Sequence, residues 1–363
     1  MLATLAGELA RNHRVTIVTP AAPGAAAWDG CVSYYVRRYR QGKTVVGKAF
    51  RMLVAAWPAA AAGDAVICGH AVAAPAAWFV SRVFRKPYFI YVHALEITAP
   101  RYRRLYRLLF RRARGIVAGS VYARQLVVDY LGLPAACVDV VEPAVTRRIL
   151  EEAALNDDGL PYGDPARRVI LTVGRLRSDE RYKGHDTVIA ALALVRSRIP
   201  NIVYWIVGDG DDRCRLEGLA RDAGVADCVK FWGTVEDVAP FYRGCDLFVM
   251  PGRRVLADGR ELAEGFGLVY LEAAAFGKPV VAGNCAGARD AVADGLTGLL
   301  VDPENAAGVA AAVVGLLADP AYAVQLGREA KRRVRAEHTP AAQAARFERA
   351  VAGRLARFGE GTS

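Results

Sequence analysis

Short apolar runs recur along the chain and predict buried β-strands that alternate with helices. In the first half of the chain these runs lie at 14–19, 65–68, 88–92, 115–118 and 138–141. In the second half they lie at 169–173, 203–207, 229–232, 247–250, 279–282 and 299–301. Helical stretches fall between the runs, and this alternation is typical of parallel, doubly wound sheets. The pattern therefore predicts an α/β protein with two Rossmann-like domains.

A polar stretch separates the two series of strands. Residues 151–167 contain Asn156-Asp-Asp-Gly-Leu-Pro-Tyr-Gly-Asp-Pro165, a composition typical of a linker. We therefore predict one domain over 1–160, a second over 161–340, and a last helix over 341–363 that packs back toward the first domain. A chain of 363 residues is long enough for two domains of this size.

Charge is divided unevenly between the two halves of the chain. The net charge is +11, and residues 1–150 contain 21 Lys and Arg against 7 Asp and Glu, or +14, which leaves −3 for the remainder. A basic first half indicates an anionic partner, and nucleic acid is not expected because no recognised binding motif accompanies the charge. The seven cysteines are scattered without a Cys-x-x-Cys pair, and the five histidines have no ligand spacing. These features predict a reducing compartment without disulfides or a metal site. No cofactor is expected.

The stretch Glu264-Gly-Phe-Gly-Leu-Val-Tyr-Leu-Glu272 is the most informative part of the sequence. Gly265 and Gly267 allow a close approach of the backbone and a positive φ, and a helix is predicted from Leu268. The free N–H groups and the positive dipole end of that helix favour an anion such as a diphosphate. The carboxylates of Glu264 and Glu272 can reach different parts of one elongated ligand. Each suits a vicinal diol, because a carboxylate can accept two hydrogen bonds. The alternative is a capped helix with solvated acidic residues.

Two cations flank the first strand–helix turn of the second domain. Arg175 follows the strand at 169–173, and Lys183 lies just ahead of the next helix. Together they can clamp a diphosphate, Arg as a fork and Lys as a point charge, although two solvated surface cations are the alternative. The nearby Asp209-Gly-Asp211 segment is similar to a metal-binding pair. Because it follows a strand and opens a helix, we interpret it as a turn with an N-cap.

The first half contributes a histidine and a strongly basic segment. His93 follows the strand at 88–92, with Glu96 three residues later, and is either functional or a satisfied polar residue. Arg101–Arg114 has seven arginines and no acidic residue. It is either a basic amphipathic helix for an anionic membrane surface or an ordinary helix whose apolar side packs on the sheet. The uncharged segment 65–81 is interpreted as a buried strand plus a helix and not as a membrane span.

Several motifs follow one another along nearly the whole chain, namely Val173-Gly-Arg175-Leu, Lys183-Gly-His-Asp186, Ile206-Val-Gly-Asp-Gly210, Phe231-Trp-Gly233, Glu264-Gly-Phe-Gly…Glu272, Gly287-Ala-Arg-Asp290 and Asp294-Gly-Leu-Thr-Gly-Leu-Leu-Val-Asp302. This series resembles that of family 4 glycosyltransferases, and within the family it looks most like bacterial mannosyltransferases of the phosphatidylinositol-mannoside and exopolysaccharide type. Tyr91-Val-His93-Ala-Leu-Glu96 is similar to the acceptor-side His motif of the family. The resemblance implies the GT-B fold, in which two Rossmann-like domains face a cleft.

The resemblance also implies a role for individual residues. The implied catalytic residues are His93 and Glu264. The implied donor-binding residues are Gly174, Arg175, Lys183, Gly233, Val235, Gly265, Phe266, Gly267, Leu268, Val269 and Glu272. In this scheme the cations and the helix N–H groups bind the diphosphate, Glu272 accepts the ribose hydroxyls, and Glu264 with the glycine-rich backbone holds the sugar. No metal is implied, because these groups supply the charge on the leaving group.

The implied reaction is a retaining transfer of a hexose, mannose from GDP-mannose, to a lipid-linked or polysaccharide-precursor acceptor. It is expected in the cytoplasm, peripherally on the inner face of the membrane. A UDP-sugar-dependent transferase of the same family, a nucleotide-sugar 2-epimerase and a non-catalytic nucleotide-sugar binder are the alternatives. Two features depart from the family pattern. Asp290 replaces the usual Glu, and the chain begins at a helix that normally follows a first strand, so we expect that strand to lie upstream of residue 1.

Overall fold

The computed structural model describes residues 2–23, 25, 29–40, 45–155, 166–257 and 260–359. The chain divides into two compact units. Unit 1 comprises Met1–Ala144 and Pro340–Ser363, and unit 2 comprises Val145–Thr339. The first boundary therefore lies ahead of the predicted linker, whose central residues 156–165 are outside the described residues.

Unit 1 is an α/β unit with parallel strands. Its strands are β1 (Thr16–Pro20), β2 (Tyr35–Tyr39), β3 (Val66–Cys68), β4 (Tyr88–Val92), β5 (Gly115–Ala118) and β6 (Val138–Val140). Its helices are α1 (Leu2–Leu9), α2 (Val45–Ala62), α3 (Ala74–Phe84), α4 (Arg103–Arg111), α5 (Val121–Leu131) and, at the end of the chain, α14 (Pro340–Gly359). Strands β3 to β6 form one parallel sheet in that order, and β1 pairs with β2. All five residues of β4 are buried, as in the centre of a parallel sheet.

Strand β1 differs from the predicted buried strand at 14–19. It is half-buried, with Thr16 exposed. Among the described residues its one hydrogen-bonded neighbour is β2, so it belongs to a separate two-stranded sheet. The sequence pattern does not predict β2, because Arg37 and Arg38 interrupt its apolar residues.

The last helix, α14, packs within unit 1. Phe347 lies in the same apolar cluster as Leu5 of α1 and Tyr91 of β4. Arg354 forms an ion pair of 2.8 Å with Asp139. The chain therefore returns to its first unit after it has completed the second.

Unit 2 contains a six-stranded parallel sheet. Its strands are β7 (Arg168–Val173), β8 (Ile202–Val207), β9 (Val229–Gly233), β10 (Leu247–Met250), β13 (Val280–Gly283) and β14 (Gly298–Val301), with a hairpin of β11 (Val255–Ala257) and β12 (Arg260–Leu262). Its helices are α6 (Arg147–Glu152), α7 (His185–Arg196), α8 (Arg213–Asp222), α9 (Ala239–Gly244), α10 (Leu268–Ala275), α11 (Ala288–Ala291), α12 (Ala306–Ala318) and α13 (Pro320–Glu337). The sheet order is β9-β8-β7-β10-β13-β14. This is the order of dinucleotide-binding sheets, and it reverses between β7 and β10.

Apolar side chains cover both faces of the unit 2 sheet. Neighbouring residues of β7 belong to different clusters, since Ile170 packs with Leu192 and Leu171 packs with Phe248 and Tyr270. Burial on both faces explains the near-continuous apolar runs from which these strands are predicted. The predicted bounds of the six strands agree with the structure to within one residue.

The uncharged segment 65–81 forms β3 and most of α3, as expected. Among the described residues, no single helix is both long and apolar enough to cross a membrane. The two helices α12 and α13, which are bent by 99° relative to each other, meet that test of length and composition only as a pair.

Candidate active site

The point where the strand order of unit 2 reverses brings several predicted donor residues together. Strand β7 is followed by Gly174 and Arg175, and β10 is followed by Pro251 and Gly252. Ligands of such sheets bind in the crevice outside these two strand ends. A Cβ at Gly252 would lie 4.0 Å from the Cβ of Glu264, so the glutamate-containing motif reaches the same place.

Arg175 and Lys183 share the carboxylate of Glu180. Arg175 Nη2 contacts Glu180 Oε1, and Lys183 Nζ donates to Oε2 at 2.6 Å. The stem of Lys183 lies over Gly174, where a Cβ would come within 3.3 Å of its Cδ and Nζ. The Arg175 side chain is 69% exposed, whereas those of Glu180 and Lys183 are nearly buried. The two cations therefore form one cluster, which argues against two independent surface charges.

The segment 178–183 between β7 and α7 is anchored by acidic residues that follow β8. Asp211 accepts hydrogen bonds from the N–H and the hydroxyl of Ser178 at 3.0 and 2.5 Å. Asp212 accepts from Arg181 Nε at 2.8 Å. The N-cap interpretation of this acidic turn is wrong. Asp212 stands at the N-cap position of α8 without a capping bond from its side chain, because its carboxylate binds arginine instead.

Arg253 also anchors the segment 178–183. Its backbone N–H donates to the carbonyl oxygen of Tyr182 at 2.7 Å. Its guanidinium forms two hydrogen bonds to Asp186, at 2.8 and 2.9 Å, and such a fork fixes the geometry of both groups. The sequence carries no signal for this pair, because it joins residues that are far apart in the chain.

Glu264 lies beside the start of α10. Burial raises the pKa of its carboxyl group, Lys183 opposes that shift, and Glu180 adds to it. Gly267 has a φ of +94° and stands at the N-cap of α10. A Cβ at Gly267 would lie 2.3 Å from ring atoms of Tyr270, so only glycine fits here. The Tyr270 hydroxyl donates to the last carbonyl of β10 at 2.8 Å, which holds the first turn of α10 against that strand.

The backbone between Glu264 and Gly267 is enclosed by its neighbours. Phe266 is buried in the core of unit 2. The N–H of Gly287 donates to the carbonyl oxygen of Glu264 at 3.0 Å. A Cβ at Gly287 would come within 2.2 Å of the carbonyl oxygen of Gly265, so the segment before α11 packs directly on the glutamate-containing motif.

Glu272 is held by a tyrosine that the sequence does not identify. Its Oε2 accepts a hydrogen bond of 2.8 Å from the hydroxyl of Tyr242 on α9. Burial raises the pKa of Glu272, and the hydrogen bond from Tyr242 opposes that shift. Tyr242 is fully buried and stacks on Phe276 with ring centroids 5.7 Å apart. This packing gives the Glu272 carboxylate a defined orientation.

Three glycines lie at the adjacent ends of β7, β8 and β9. The N–H of Gly208 donates to the carbonyl oxygen of Gly233 at 2.8 Å. A Cβ at Gly208 would lie 2.0 Å from the carbonyl oxygen of Gly174, so these backbones touch. Val235 follows β9 and packs, partly buried, against the core. Of the predicted base-pocket residues, Gly233 therefore lies in this glycine cluster, and Val235 packs against the core beside β9.

His93 lies in unit 1, directly after β4. Its N–H donates to Glu96 Oε1 at 2.6 Å, and the N–H of Ala94 donates to Oε2 at 2.7 Å. Its Nε2 lies 2.9 Å from the carbonyl oxygen of Gly69, which assigns the proton to Nε2 and leaves Nδ1 as an acceptor. Burial lowers the pKa of His93, and Glu96 opposes that shift. The imidazole is therefore neutral at pH 7.

The structure thus places all eleven predicted donor-binding residues and Glu264 in unit 2, and His93 in unit 1. Within unit 2 it adds four groups of residues that the motifs do not reveal: Glu180, Tyr242, Arg253 with Asp186, and Asp211 with Asp212. Across the part of the chain that the structure describes, no group of three or more His, Cys, Asp or Glu side chains could hold a metal ion.

Solved structures with the same architecture are glycosyltransferases of the GT-B class. Anabaena Alr3699/HepE in complex with UDP and glucose has a TM-score of 0.81 at 19% identity and covers 97% of this chain and 95% of its own. WaaG, a glycosyltransferase involved in lipopolysaccharide biosynthesis, has a TM-score of 0.67 at 16% identity and covers 96% of this chain and 94% of its own. At these identities the likeness establishes the fold, and it confirms the predicted α/β class.

Sequence comparison establishes the family. The model for glycosyltransferase family 4 matches residues 1–147, and that for glycosyl transferases group 1 matches residues 167–319. The GDP-mannose-dependent alpha-(1-6)-phosphatidylinositol monomannoside mannosyltransferase of Mycolicibacterium smegmatis is 31% identical over 346 residues, 90% of this chain and 87% of the relative. Its counterpart in Mycobacterium tuberculosis (strain ATCC 25618 / H37Rv) is 32% identical over 347 residues, 90% of this chain and 86% of the relative. The chain belongs to glycosyltransferase family 4, and the predicted enzyme class is confirmed.

Proposed function

We propose that this glycosyltransferase transfers mannose from GDP-mannose to a lipid-linked or polysaccharide-precursor acceptor with retention of configuration. The observation that carries the proposal is the convergence of Arg175, Lys183 and Glu264 where the strand order of unit 2 reverses. Two cations beside a helix N-terminus suit a diphosphate, and a buried carboxylate suits sugar hydroxyls. The choice of GDP-mannose is supported by the named donor of relatives that cover 90% of this chain.

In the proposed reaction the bond between the anomeric carbon and the donor phosphate breaks, and the acceptor oxygen bonds to the same face of that carbon. The acceptor proton passes to the departing phosphate. The leaving nucleoside diphosphate gains negative charge as this bond breaks, and preorganised donors stabilise such charge. Arg175, Lys183 and the N–H groups of Leu268 and Val269 would provide that stabilisation without a metal.

The remaining predicted residues would fix the donor. Glu272 would accept the ribose hydroxyls, and Gly233 and Val235 would line the base pocket. The backbone of 265–267 would hold the sugar with Glu264. The neutral His93 would be the catalytic residue contributed by unit 1, with Nδ1 as an acceptor.

A thermal-shift screen of GDP and UDP sugars tests the choice of donor. A ligand at 100 times its Kd stabilises a protein by about 2.7 kcal/mol, so the preferred donor is easily recognised. We expect GDP-mannose to give the largest shift and Lys183→Ala to reduce it. A larger shift with a UDP sugar would favour a UDP-dependent member of the family. Product analysis separates transfer from 2-epimerisation, and donor binding without any turnover would indicate a non-catalytic binder.

The outward side of α4 supports a further proposal, contact with an anionic membrane surface on the cytoplasmic side. Tyr106, Leu109 and Phe110 are buried, so the inner side of α4 packs as in an ordinary domain helix. Leu105 and Leu108 are 41% and 48% exposed. The exposed arginines of the helix are Arg103, Arg104, Arg107 and Arg111. Arg103 donates from Nε to the carbonyl oxygen of Tyr130 at 2.6 Å, whereas the other three serve as the test set. Exposed leucines among arginines are typical of helices that bind the membrane interface.

Vesicle sedimentation tests this contact. We expect binding to phosphatidylglycerol vesicles, no binding to phosphatidylcholine vesicles, and a loss of binding with salt because the attraction is screened. Reversal of Arg104, Arg107 and Arg111 to Glu should abolish binding. The matched control reverses three exposed arginines of α13, Arg328, Arg332 and Arg335, and changes the net charge equally. Equal loss in both triple variants, or binding that is insensitive to salt, would contradict a specific role for α4.

A further inference from the structure

Glu180 contacts both candidate diphosphate-binding cations through separate oxygens. Its Oε1 meets Arg175 Nη2, and its Oε2 accepts from Lys183 Nζ at 2.6 Å. The side chains of Glu180 and Lys183 are only 11% and 10% exposed. The carboxylate therefore holds the same N–H donors that a diphosphate requires, in a place largely shielded from water.

The charges in this cluster balance. Glu180 raises the pKa of Glu264, while Lys183 and Arg175 lower it, so all four groups lie within electrostatic reach of one another. Two cations and two carboxylates give no net charge. A diphosphate adds negative charge, and its oxygens accept from the same donors as a carboxylate does. It must therefore compete with Glu180 for Arg175 and Lys183.

We infer that Glu180 is a displaceable counter-charge, which holds Arg175 and Lys183 in place and yields their N–H groups to the diphosphate of the nucleotide. The inference rests on the proposed function, because it concerns the same donor site. Glu180 is a positioning residue that acts through the two cations. Before the nucleotide binds, Glu180 holds the side chains of Arg175 and Lys183 together. After the reaction, it competes with the nucleoside diphosphate product for the same two cations. Glu180 thus weakens product binding and speeds product release.

The backbone around Glu180 allows this exchange without a rearrangement of the loop. Ser178 is fixed by Asp211 on one side, and the carbonyl of Tyr182 is fixed by the N–H of Arg253 on the other. The segment is therefore anchored at both ends by residues outside it. Displacement of the carboxylate needs only rotation of the Glu180 side chain, a fast event compared with loop motion.

The test compares Glu180→Gln with the wild type, using unlabelled GDP and UDP. Isothermal titration calorimetry gives the affinity, and surface plasmon resonance on the immobilised protein gives the dissociation rate. Glutamine preserves the size of the side chain and removes its charge. We expect Glu180→Gln to bind the cognate nucleoside diphosphate about tenfold more tightly, mainly through slower dissociation. The matched control is Asp179→Asn, one residue away, which removes the same charge from a side chain that is 61% exposed and pairs with Arg177. The control should bind and release the nucleotide as the wild type does.

Equal or weaker nucleotide binding by Glu180→Gln would overturn the inference, because a residue that only supports the cations would lower affinity when changed. Glu180→Asp provides a second variant should the first not fold. Its shorter carboxylate cannot span both cations and should raise affinity by a smaller factor, and unchanged affinity would again overturn the inference. If the wild type binds neither GDP nor UDP, the proposed function itself fails. If the wild type binds and the variants match it, only the inference fails.

Discussion

The carboxylate of Glu272 accepts a hydrogen bond of 2.8 Å from the buried hydroxyl of Tyr242. The bond links α10 to α9, and it orients one carboxylate oxygen so that the group can present the other to a diol. Tyr242 is itself fixed by stacking on Phe276. The candidate ribose contact is therefore built from three side chains, of which only the glutamate belongs to a recognisable motif.

Replacement of Glu272 should weaken nucleotide binding. We expect Glu272→Ala to lose roughly 1.5–3 kcal/mol of binding free energy for a nucleoside diphosphate, the range for a hydrogen bond to a charged group. Isothermal titration calorimetry measures this loss. Tyr242→Phe, which keeps the ring and removes the hydroxyl, should lose less because the carboxylate remains. Unchanged nucleotide affinity in Glu272→Ala would remove Glu272 from the donor site.

Replacement of Arg175 or Lys183 should slow turnover more than it raises the KM for the donor. Arg175→Ala and Lys183→Ala should each lower kcat by about 10²–10³, by analogy with the loss of one oxyanion donor. The control is Arg177→Ala, an arginine of the same region that pairs with Asp179. Steady-state kinetics with and without EDTA provide the measurement. Loss of activity in EDTA together with near-normal rates in both variants would contradict metal-independent catalysis.

The strands of unit 2 could be predicted because burial on both faces demands continuous apolar runs. Ile170 and Leu171 pack in different clusters, yet both must be apolar, so the run itself marks the strand. The same reasoning wrongly predicts that β1 is buried. This strand has one neighbouring strand among the described residues and is only half-buried. Apolar runs therefore reveal central strands better than peripheral ones.

The positions of Arg175, Lys183, Glu264 and Glu272 could be expected from motifs at strand ends and helix starts. The contacts that orient them could not, since Glu180 and Tyr242 belong to no motif that predicts such a role. Tyr242 reaches Glu272 only in the tertiary fold, which brings together two separate strand–helix units. Glu180 lies in the same strand–helix turn as Arg175 and Lys183, but no motif distinguishes it from its acidic neighbour Asp179.

Gly267 should tolerate no side chain. A Cβ there would lie 2.3 Å from the ring of Tyr270, and the φ of +94° is itself unfavourable for other residues. We expect Gly267→Ala to lower the free energy of unfolding by about 2 kcal/mol or more and to weaken nucleotide binding. The control is Gly315→Ala within α12, where a Cβ would have no neighbour within 4 Å and helix propensity favours alanine. Denaturant unfolding in which both variants match the wild type would contradict this steric argument.

His185 at the start of α7 should make the stability of the protein sensitive to acid. Burial, together with the nearby charge of Lys183, lowers the pKa of its imidazole to about 4, and Asp186 opposes the shift. In the unfolded chain the ring has its ordinary pKa of 6.5, so the unfolded state binds a proton first as the pH falls. The stability due to the neutral ring is therefore fully present above pH 6.5 and is lost as the pH falls toward 4.

We expect this single group to account for about 3 kcal/mol of the stability lost between pH 7 and pH 4, since each pKa unit corresponds to about 1.4 kcal/mol. Urea unfolding of His185→Gln across this range should show a correspondingly shallower decline than the wild type. The comparison of slopes removes any constant effect of the substitution on packing. His13→Gln is the control, because it removes an imidazole that is 56% exposed and pairs with Glu348. Parallel curves for the wild type and His185→Gln would show that a buried neutral His185 does not govern acid stability.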